Sequence, residues 1–193
     1  RTTENKCGCS IEKIRLHKHF GKCYNDTKIT AGNSQKQGKT DDFKTHRKRR
    51  KAVRTLLTFD KKDYDETMPV FEKYSTRGVI IRDGKIATQH GTAGDYKILG
   101  GGVEPGEKLE DALIREVGEE SGLIVIPESI RLIGEIVEKR RDLFEKDKIF
   151  LCHSCFFFCD AKEEMMQTHM TESEIAKGFH LEWATPQEII DGN

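Results

Sequence analysis

Residues 101–123 read Gly-Gly-Val-Glu-Pro-Gly-Glu-Lys-Leu-Glu-Asp-Ala-Leu-Ile-Arg-Glu-Val-Gly-Glu-Glu-Ser-Gly-Leu, and the interpretation of the whole chain starts from this stretch. It begins as a Gly-rich loop in which Pro105-Gly106 is a turn signal. Apolar residues then recur at helical spacing, at Leu109, Ala112, Leu113 and Val117. Gly122 can end the helix, because glycine adopts the left-handed C-terminal position at little cost. The sequence therefore predicts a glycine loop that leads directly into one amphipathic helix.

Three carboxylates share the apolar side of this helix. At roughly 100° per residue, Glu116 and Glu120 fall within the apolar arc and Glu119 lies at its edge. Carboxylates that converge within one turn repel each other, and burying them is costly without a compensating cation. An all-oxygen ligand set suits Mg²⁺ or Mn²⁺ rather than zinc. The pattern predicts a divalent metal site; the alternative is a solvated acidic face at the end of a helix.

The same stretch resembles the Nudix box, in which glycine, glutamate, Arg-Glu, Glu-Glu and a final glycine recur at fixed spacing. Every fixed position is filled here, by Gly101, Glu107, Arg115-Glu116, Val117, Glu119-Glu120, Gly122 and Leu123. The resemblance extends over residues 70–191. It implies an αβα sandwich with a mixed β-sheet. It also implies a pyrophosphohydrolase that cleaves a nucleoside diphosphate linked to another moiety.

The resemblance further implies roles for single residues. The metal ligands would be three carboxylates and one backbone carbonyl, namely Glu116, Glu119, Glu120 and either Gly100 or Gly101. Arg115 would orient Glu116 or pair with Glu107, which fixes the loop on the helix. A metal-activated water would attack one phosphorus, and a carboxylate would act as general base. In some relatives that base lies outside the box, and the candidates here are Glu163, Glu164, Glu172 and Glu174.

Substrate choice is poorly encoded. The region after the box that separates Nudix subfamilies holds Glu138 to Arg141, and it carries neither the Pro of ADP-ribose hydrolases nor the Tyr of dinucleoside polyphosphate hydrolases. A nucleoside triphosphate or a damaged nucleotide is therefore the expected substrate. Arg140 and Arg141 either contact a substrate phosphate or are exposed charges of a hairpin. Phe179 and Trp183 either stack on a base or belong to the core.

Charge divides the chain in two. Residues 1–54 hold 16 Lys/Arg and 5 Asp/Glu, a net charge of +11, whereas residues 55–193 hold 17 and 28, a net charge of −11. Because apolar residues are scarce from residue 28 to residue 51, we expect residues 1–54 to be a basic, disordered extension and residues 55–193 to be the Nudix domain. The basic run at residues 46–51 is either a nucleic-acid attachment segment or a solvated tail.

Two further hypotheses concern the extension. Its cysteines and histidines, Cys7, Cys9, His17, His19 and Cys23, are zinc-ligand types, but their spacing is not that of a familiar finger. The chain also opens with Arg and has its first methionine at Met68, so residues 1–52 could be an upstream or foreign segment.

Composition limits the location and the partners of the protein. No apolar run approaches the ~18 residues that a membrane span needs, so no membrane partner is expected. The first residues lack the apolar core of a signal peptide. The six cysteines are therefore interpreted as reduced thiols of a cytoplasmic protein. The expected partner is a small nucleotide; a homodimer is left open, and nucleic acid is expected only at the basic segment.

A second class of function stays open beside the enzyme. A nucleotide-sensing or nucleic-acid-binding module on a Nudix scaffold could engage its partner through the basic extension. The complete set of Glu116, Glu119 and Glu120 favours the enzyme, because a pure binding module has no need of three metal-binding carboxylates.

Around the box the patterns predict strands and one further helix. Strands are expected at residues 56–59, 76–82, 85–89, 96–99, 123–126, 130–137, 149–159 and 179–183. Asp83-Gly84 predicts a hairpin turn between two of them. Residues 139–148 are expected to be a charged connection, and residues 160–178 show no regular pattern. Thr185 and Glu188 predict a capped helix at the end of the chain.

Overall fold

The computed structural model describes residues 53–193. Its strands, in chain order, are β1 (Thr55–Asp60), β2 (Val70–Val79), β3 (Ile81–Arg82), β4 (Lys85–His90), β5 (Tyr96–Ile98), β6 (Leu123–Val125), β7 (Arg131–Arg141), β8 (Ile149–Phe158), β9 (Ala161–Met165) and β10 (His180–Ala184). Its α-helices are α1 (Leu109–Ser121), α2 (Glu172–Ala176) and α3 (Pro186–Gly192), and a 3₁₀ turn covers Pro127–Ser129. The predictions of a disordered extension and of a zinc site fall on residues outside this range.

The strands form a mixed sheet system. Strands β1, β7, β8 and β2 lie side by side in that order, and β10, β4 and β3 form a second sheet to which β5 is added through β4. The glycine loop connects the two sheets, because Leu99 O accepts from Gly78 N at 2.8 Å and Gly101 O accepts from Thr76 N at 3.0 Å. Parallel pairs (β1 with β7, β2 with β8) occur beside antiparallel ones.

Helices lie on both faces of these strands. Leu113 and Val117 of α1 belong to the buried core together with Leu99 and Phe157, so α1 covers one face. At the other face, Gly192 of α3 lies against the ring of Tyr96. Tyr96 and Leu99 are three residues apart in an extended segment, so their side chains point to opposite faces. The result is the helix, sheet, helix layering that the resemblance predicted.

The predicted helix and turns are confirmed. Helix α1 begins at Leu109 and ends at Ser121, and Gly122 follows as its cap with a left-handed φ of 75°. Asp83 and Gly84 have φ values of 52° and 75°, as a tight hairpin turn requires. Thr185 caps α3 with its side chain, and the Glu188 carboxylate accepts in return from Thr185 N at 2.7 Å.

Two expectations about the second half of the chain are wrong. The expected connection at residues 139–148 begins with strand, because β7 continues to Arg141 along β8. Residues 160–178 contain β9 and α2. Strand β9 carries exposed polar residues and so lacks an apolar pattern. The sequence signal for helix α2 is the capping box of Thr171 and Glu174.

Cys152 and Cys155 are buried on opposite faces of β8, in agreement with their spacing. Cys155 is part of the core beneath α1, whereas Cys152 lies beside Ser75 and Ser154. Among residues 53–193, no helix has the length and apolar character required to cross a membrane. The boundary between an extension and a Nudix domain at residue 55 stays a prediction.

Candidate active site

The glycine loop lies unusually close to its neighbours. Gly100 has a φ of 126°, and a Cβ at this residue would overlap the carbonyl oxygen of Thr76. A Cβ at Gly101 would collide with the carboxylate of Glu116. Both positions therefore require glycine, because the backbone of the loop occupies space that a side chain would fill. The result is direct contact between the loop backbone and the carboxylates of α1.

Arg115 joins the loop to the helix. Its Nε and Nη2 atoms donate to the two carboxylate oxygens of Glu107 at 2.9 and 3.0 Å, and Nη2 also donates to Gly102 O at 3.0 Å. Its Nη1 atom donates to Glu116 Oε1 at 2.8 Å and to Glu119 Oε2 at 3.3 Å. Arg115 thus contacts both residues that the resemblance gave as alternatives for it.

The pKa values around Arg115 follow from these contacts. The hydrogen bond with Arg115 is the main cause that lowers the pKa of Glu107, whose Oε2 also accepts from Glu104 N at 2.9 Å. The same bond raises the pKa of the Arg115 guanidinium, which stays charged. Glu107 is consequently ionised and links the glycine loop to α1, and both of its carboxylate oxygens accept hydrogen bonds.

Glu116 and Glu120 are the least exposed carboxylates of α1, Glu116 being partly buried and Glu120 buried. Burial raises the pKa of Glu116, although the hydrogen bond from Arg115 opposes this effect. Burial also raises the pKa of Glu120 to about 8, against the charge of Arg77 and the hydrogen bond from Gly100 N. That bond, from Gly100 N to Glu120 Oε2, is 2.7 Å long. At both carboxylates the effect of burial thus exceeds that of the positive charges of Arg77 and Arg115.

Glu119 is the most accessible of the three carboxylates of α1. Its side chain is 40% exposed, compared with 18% for Glu116. Within residues 53–193, no three His, Cys, Asp or Glu side chains are arranged as a ready metal site. The present contacts explain why the carboxylates of α1 do not already converge, since Arg115 holds Glu116 and Glu119 while Gly100 N holds Glu120.

The residues nevertheless fit a hard divalent cation. All candidate ligands are oxygen atoms, which suits Mg²⁺ and Mn²⁺. The raised pKa values of Glu116 and Glu120 show that positive charge would be favourable beside them. Gly101 O accepts from Thr76 N and Gly100 O accepts from Arg77, and a carbonyl oxygen with one such bond keeps a second lone pair.

The glutamates outside the box are not equivalent. Glu163 and Glu164 are exposed residues of β9. Glu172 begins α2, and Glu174 closes the capping box by accepting from Thr171 N at 2.8 Å. The charge of Glu174 is among the causes that raise the pKa of Glu120. Of the four candidates for an external base, Glu174 is thus the one whose charge is seen to act on Glu120.

Arg140 is not an exposed hairpin charge. Its Nε lies 2.7 Å from Glu138 Oε1, both side chains are 4% exposed, and its guanidinium carbon lies 4.2 Å from the centre of the Phe150 ring. Only Arg141 is exposed. The hairpin interpretation is therefore wrong for Arg140, because β7 extends through it and buries it as an ion pair.

The aromatic candidates for base stacking are packed against the protein. Phe179 is 5% exposed and its ring lies 3.9 Å from Lys97 Nζ. Trp183 packs against the core and carries Arg82 over its ring at 4.9 Å.

The sequence pattern does not single out Arg77. In the structure it contacts the loop, and its charge acts on both Glu116 and Glu120.

The chain is similar to proteins of one family. The family model described as NUDIX domain matches residues 73–193. The chain is 54% identical over 111 residues to the nucleoside triphosphatase NudI of Escherichia coli, covering 55% of this chain and 73% of that protein. It is 32% identical over 109 residues to the protein of the same name from Escherichia fergusonii, covering 54% and 72%.

A solved structure, a NUDIX hydrolase from Nitrosomonas europaea, is 20% identical and aligns with a TM-score of 0.47 over 63% of this chain and 78% of that chain. The family match covers more than half of the chain and includes the whole of residues 101–123. The resemblance is confirmed, and the chain belongs to the Nudix family of hydrolases.

Proposed function

We propose that this protein is a metal-dependent pyrophosphohydrolase of nucleoside triphosphates. The observation that carries the proposal is a pair of carboxylates, the partly buried Glu116 and the buried Glu120, held against the backbone of Gly101 and Gly100. The choice of substrate is supported by two relatives of this chain, from Escherichia fergusonii and Escherichia coli, that are both named nucleoside triphosphatase NudI.

Mg²⁺, with Mn²⁺ as the alternative, is the expected cofactor. Glu116, Glu119 and Glu120 would hold it together with the carbonyl oxygen of Gly100 or Gly101. A bound divalent cation neutralises phosphate charge and lowers the pKa of a coordinated water. Since Arg115 now contacts Glu116 and Glu119, we expect those two carboxylates to change partner when the cation binds.

The residues of the chain have distinct parts in the reaction. Arg115 and Glu107 fix the glycine loop on α1 and so keep the loop backbone beside the carboxylates of the helix. Gly100 and Gly101 let the loop backbone lie directly against Thr76 and Glu116, which a Cβ at either position would prevent. A carboxylate takes the proton of the attacking water; Glu119 is favoured by its exposure and Glu174 by its coupling to Glu120.

The reaction balances without a further reactant. The oxygen of water forms a bond to one phosphorus of the triphosphate, and the bridging bond of that phosphorus to the neighbouring oxygen breaks. The electron pair of the broken bond leaves with the departing phosphate group, and the proton goes first to the carboxylate. The products are a nucleoside monophosphate and pyrophosphate.

A product analysis tests the proposal. The native chain is incubated with Mg²⁺ and single nucleotides (the canonical NTPs and dNTPs, 8-oxo-dGTP, ADP-ribose, a dinucleoside polyphosphate), and products are separated by chromatography. We expect a nucleoside monophosphate and pyrophosphate from at least one triphosphate, and no product from Glu119→Gln. Equal turnover by Glu119→Gln, or turnover of ADP-ribose alone, would contradict the proposed function.

A further inference from the structure

Arg77 reaches the glycine loop from outside the Nudix box. It lies on β2, and its Nη1 atom donates to the carbonyl oxygens of Gly100 and, at 3.3 Å, of Ile98. These carbonyls belong to alternate residues of the segment that leads into the loop. A planar guanidinium presents several donors in a fixed arrangement, so one side chain can set the position of both peptide groups.

The peptide groups of Gly100 connect Arg77 to a carboxylate of α1. The carbonyl oxygen of Gly100 accepts from Arg77, and its N–H donates to Glu120 Oε2 at 2.7 Å. The main-chain bonds of Leu99 and Gly101 to β2 enclose this residue on both sides. The position of Gly100 is therefore defined by β2 on one side and by Glu120 on the other.

The charge of Arg77 acts on the same carboxylates. It lowers the pKa of both Glu116 and Glu120, against the effect of their burial. Arg115, the other cation of the site, contacts Glu116 and Glu119 from the side of Glu107. Positive charge thus approaches the buried carboxylates from two elements, α1 and β2, and only the contribution of α1 belongs to the box.

We propose that Arg77 is a positioning residue of the active site, which holds Gly100 so that its N–H fixes Glu120 and its loop faces the phosphates. The inference rests on the proposed function for its catalytic consequence. Arg77 acts through its hydrogen bond to Gly100, and this role needs no contact between Arg77 and the nucleotide.

The test compares Arg77→Met, Arg77→Lys and the control Arg131→Met. Methionine keeps much of the length of the side chain and removes its charge and donors, whereas lysine keeps the charge but cannot bond both carbonyls in the same way. Arg131 is an exposed residue of β7, which β8 separates from β2, and it lines a groove with Phe158 and Asp160. The two Met variants therefore remove the same chemical group from different places.

The first readout is amide hydrogen exchange of Gly100 in the metal-free protein, without nucleotide. We expect exchange at Gly100 to accelerate about tenfold or more in Arg77→Met, with a smaller change in Arg77→Lys and none in Arg131→Met. Unchanged exchange at Gly100 in Arg77→Met would overturn the proposal. This readout stands even if no substrate is turned over, so it separates the positioning role from the proposed function.

The second readout is steady-state turnover of the triphosphate found for the native chain. We expect kcat to fall by about 100-fold in Arg77→Met while KM stays within about threefold, because a displaced loop misaligns the reacting groups. Arg77→Lys should recover part of kcat. A rise in KM at unchanged kcat would instead indicate that Arg77 binds substrate directly, and it too would overturn the proposal.

Discussion

Replacing Glu120 by glutamine should stabilise the metal-free protein at alkaline pH. Glu120 is 9% exposed, and burial raises its pKa from the ordinary value of 4.5 to about 8. Glutamine keeps an oxygen that can accept the bond from Gly100 N, but it carries no charge. The variant therefore removes the cost of ionising a buried carboxylate and retains its hydrogen bond.

The size of the effect follows from the two pKa values. A group whose pKa is higher in the folded protein than in the unfolded chain favours folding while it is protonated. Its contribution is complete below pH 4.5 and is lost as the pH rises through about 8. Between pH 5 and pH 8, the native chain should lose about 3 to 4 kcal/mol of unfolding free energy relative to Glu120→Gln.

Thermal unfolding in EDTA measures this difference. The midpoint of Glu120→Gln should rise relative to that of the native chain by about 10 °C between pH 5 and pH 8. Glu110→Gln, on the exposed side of the same helix, is the matched control and should follow the native chain at both pH values. If the gap between Glu120→Gln and the native chain were the same at pH 5 and pH 8, the account of a buried, proton-binding Glu120 would be refuted.

Three further predictions follow from the same contacts. Gly101→Ala should lower turnover by about tenfold or more, because the added Cβ collides with the Glu116 carboxylate. Gly102→Ala is the control; its Cβ meets only the flexible Lys73, so it should lower turnover less in the same assay. Arg115→Lys should lower the unfolding free energy measured in urea by about 1 to 3 kcal/mol, because lysine cannot replace the bidentate bonds to Glu107; an unchanged midpoint would contradict this. Cys159, whose pKa burial raises to about 12, should resist iodoacetamide at pH 8 in the native state and react after denaturation, as peptide mass spectrometry can determine.

Local signals predicted the parts of the site that are close in sequence. The apolar spacing from Leu109 to Val117, with Gly122 after it, contains the information for α1 and its cap. The same helical spacing predicted Glu116 and Glu120 on the apolar side of the helix, and in the structure Glu120 is buried and Glu116 is partly buried. Such features depend on neighbours within about two turns, and so the sequence alone is sufficient for them.

Contacts between distant strands could not be predicted in this way. The role of Arg77 depends on β2 lying beside the loop of Gly100, and this pairing joins residues more than 20 positions apart. The burial of Arg140 depends on the length of the pairing between β7 and β8. Glu174 could not be separated from Glu163 and Glu164 because all three lie in a polar segment, and only the fold brings one of them near Glu120.

The loop glycines depend both on nearby residues of the sequence and on a distant strand. The resemblance assigned a metal-binding carbonyl to Gly100 or Gly101 without choosing between them. In the structure, Gly100 O is bonded by Arg77 and Gly101 O by Thr76 N. Both partners belong to β2, so the surroundings of either carbonyl depend on a strand that the box does not contain.

The most direct test of the metal site is a titration of the purified protein with Mn²⁺, with free Mn²⁺ followed by electron paramagnetic resonance. The native chain and Glu110→Gln should bind Mn²⁺ alike, and Glu116→Gln should bind it at least about tenfold more weakly, because a buried carboxylate ligand is lost. Mg²⁺ should displace the bound Mn²⁺. Equal affinity of Glu116→Gln and the native chain, with both proteins folded, would contradict a metal site built on the carboxylates of α1.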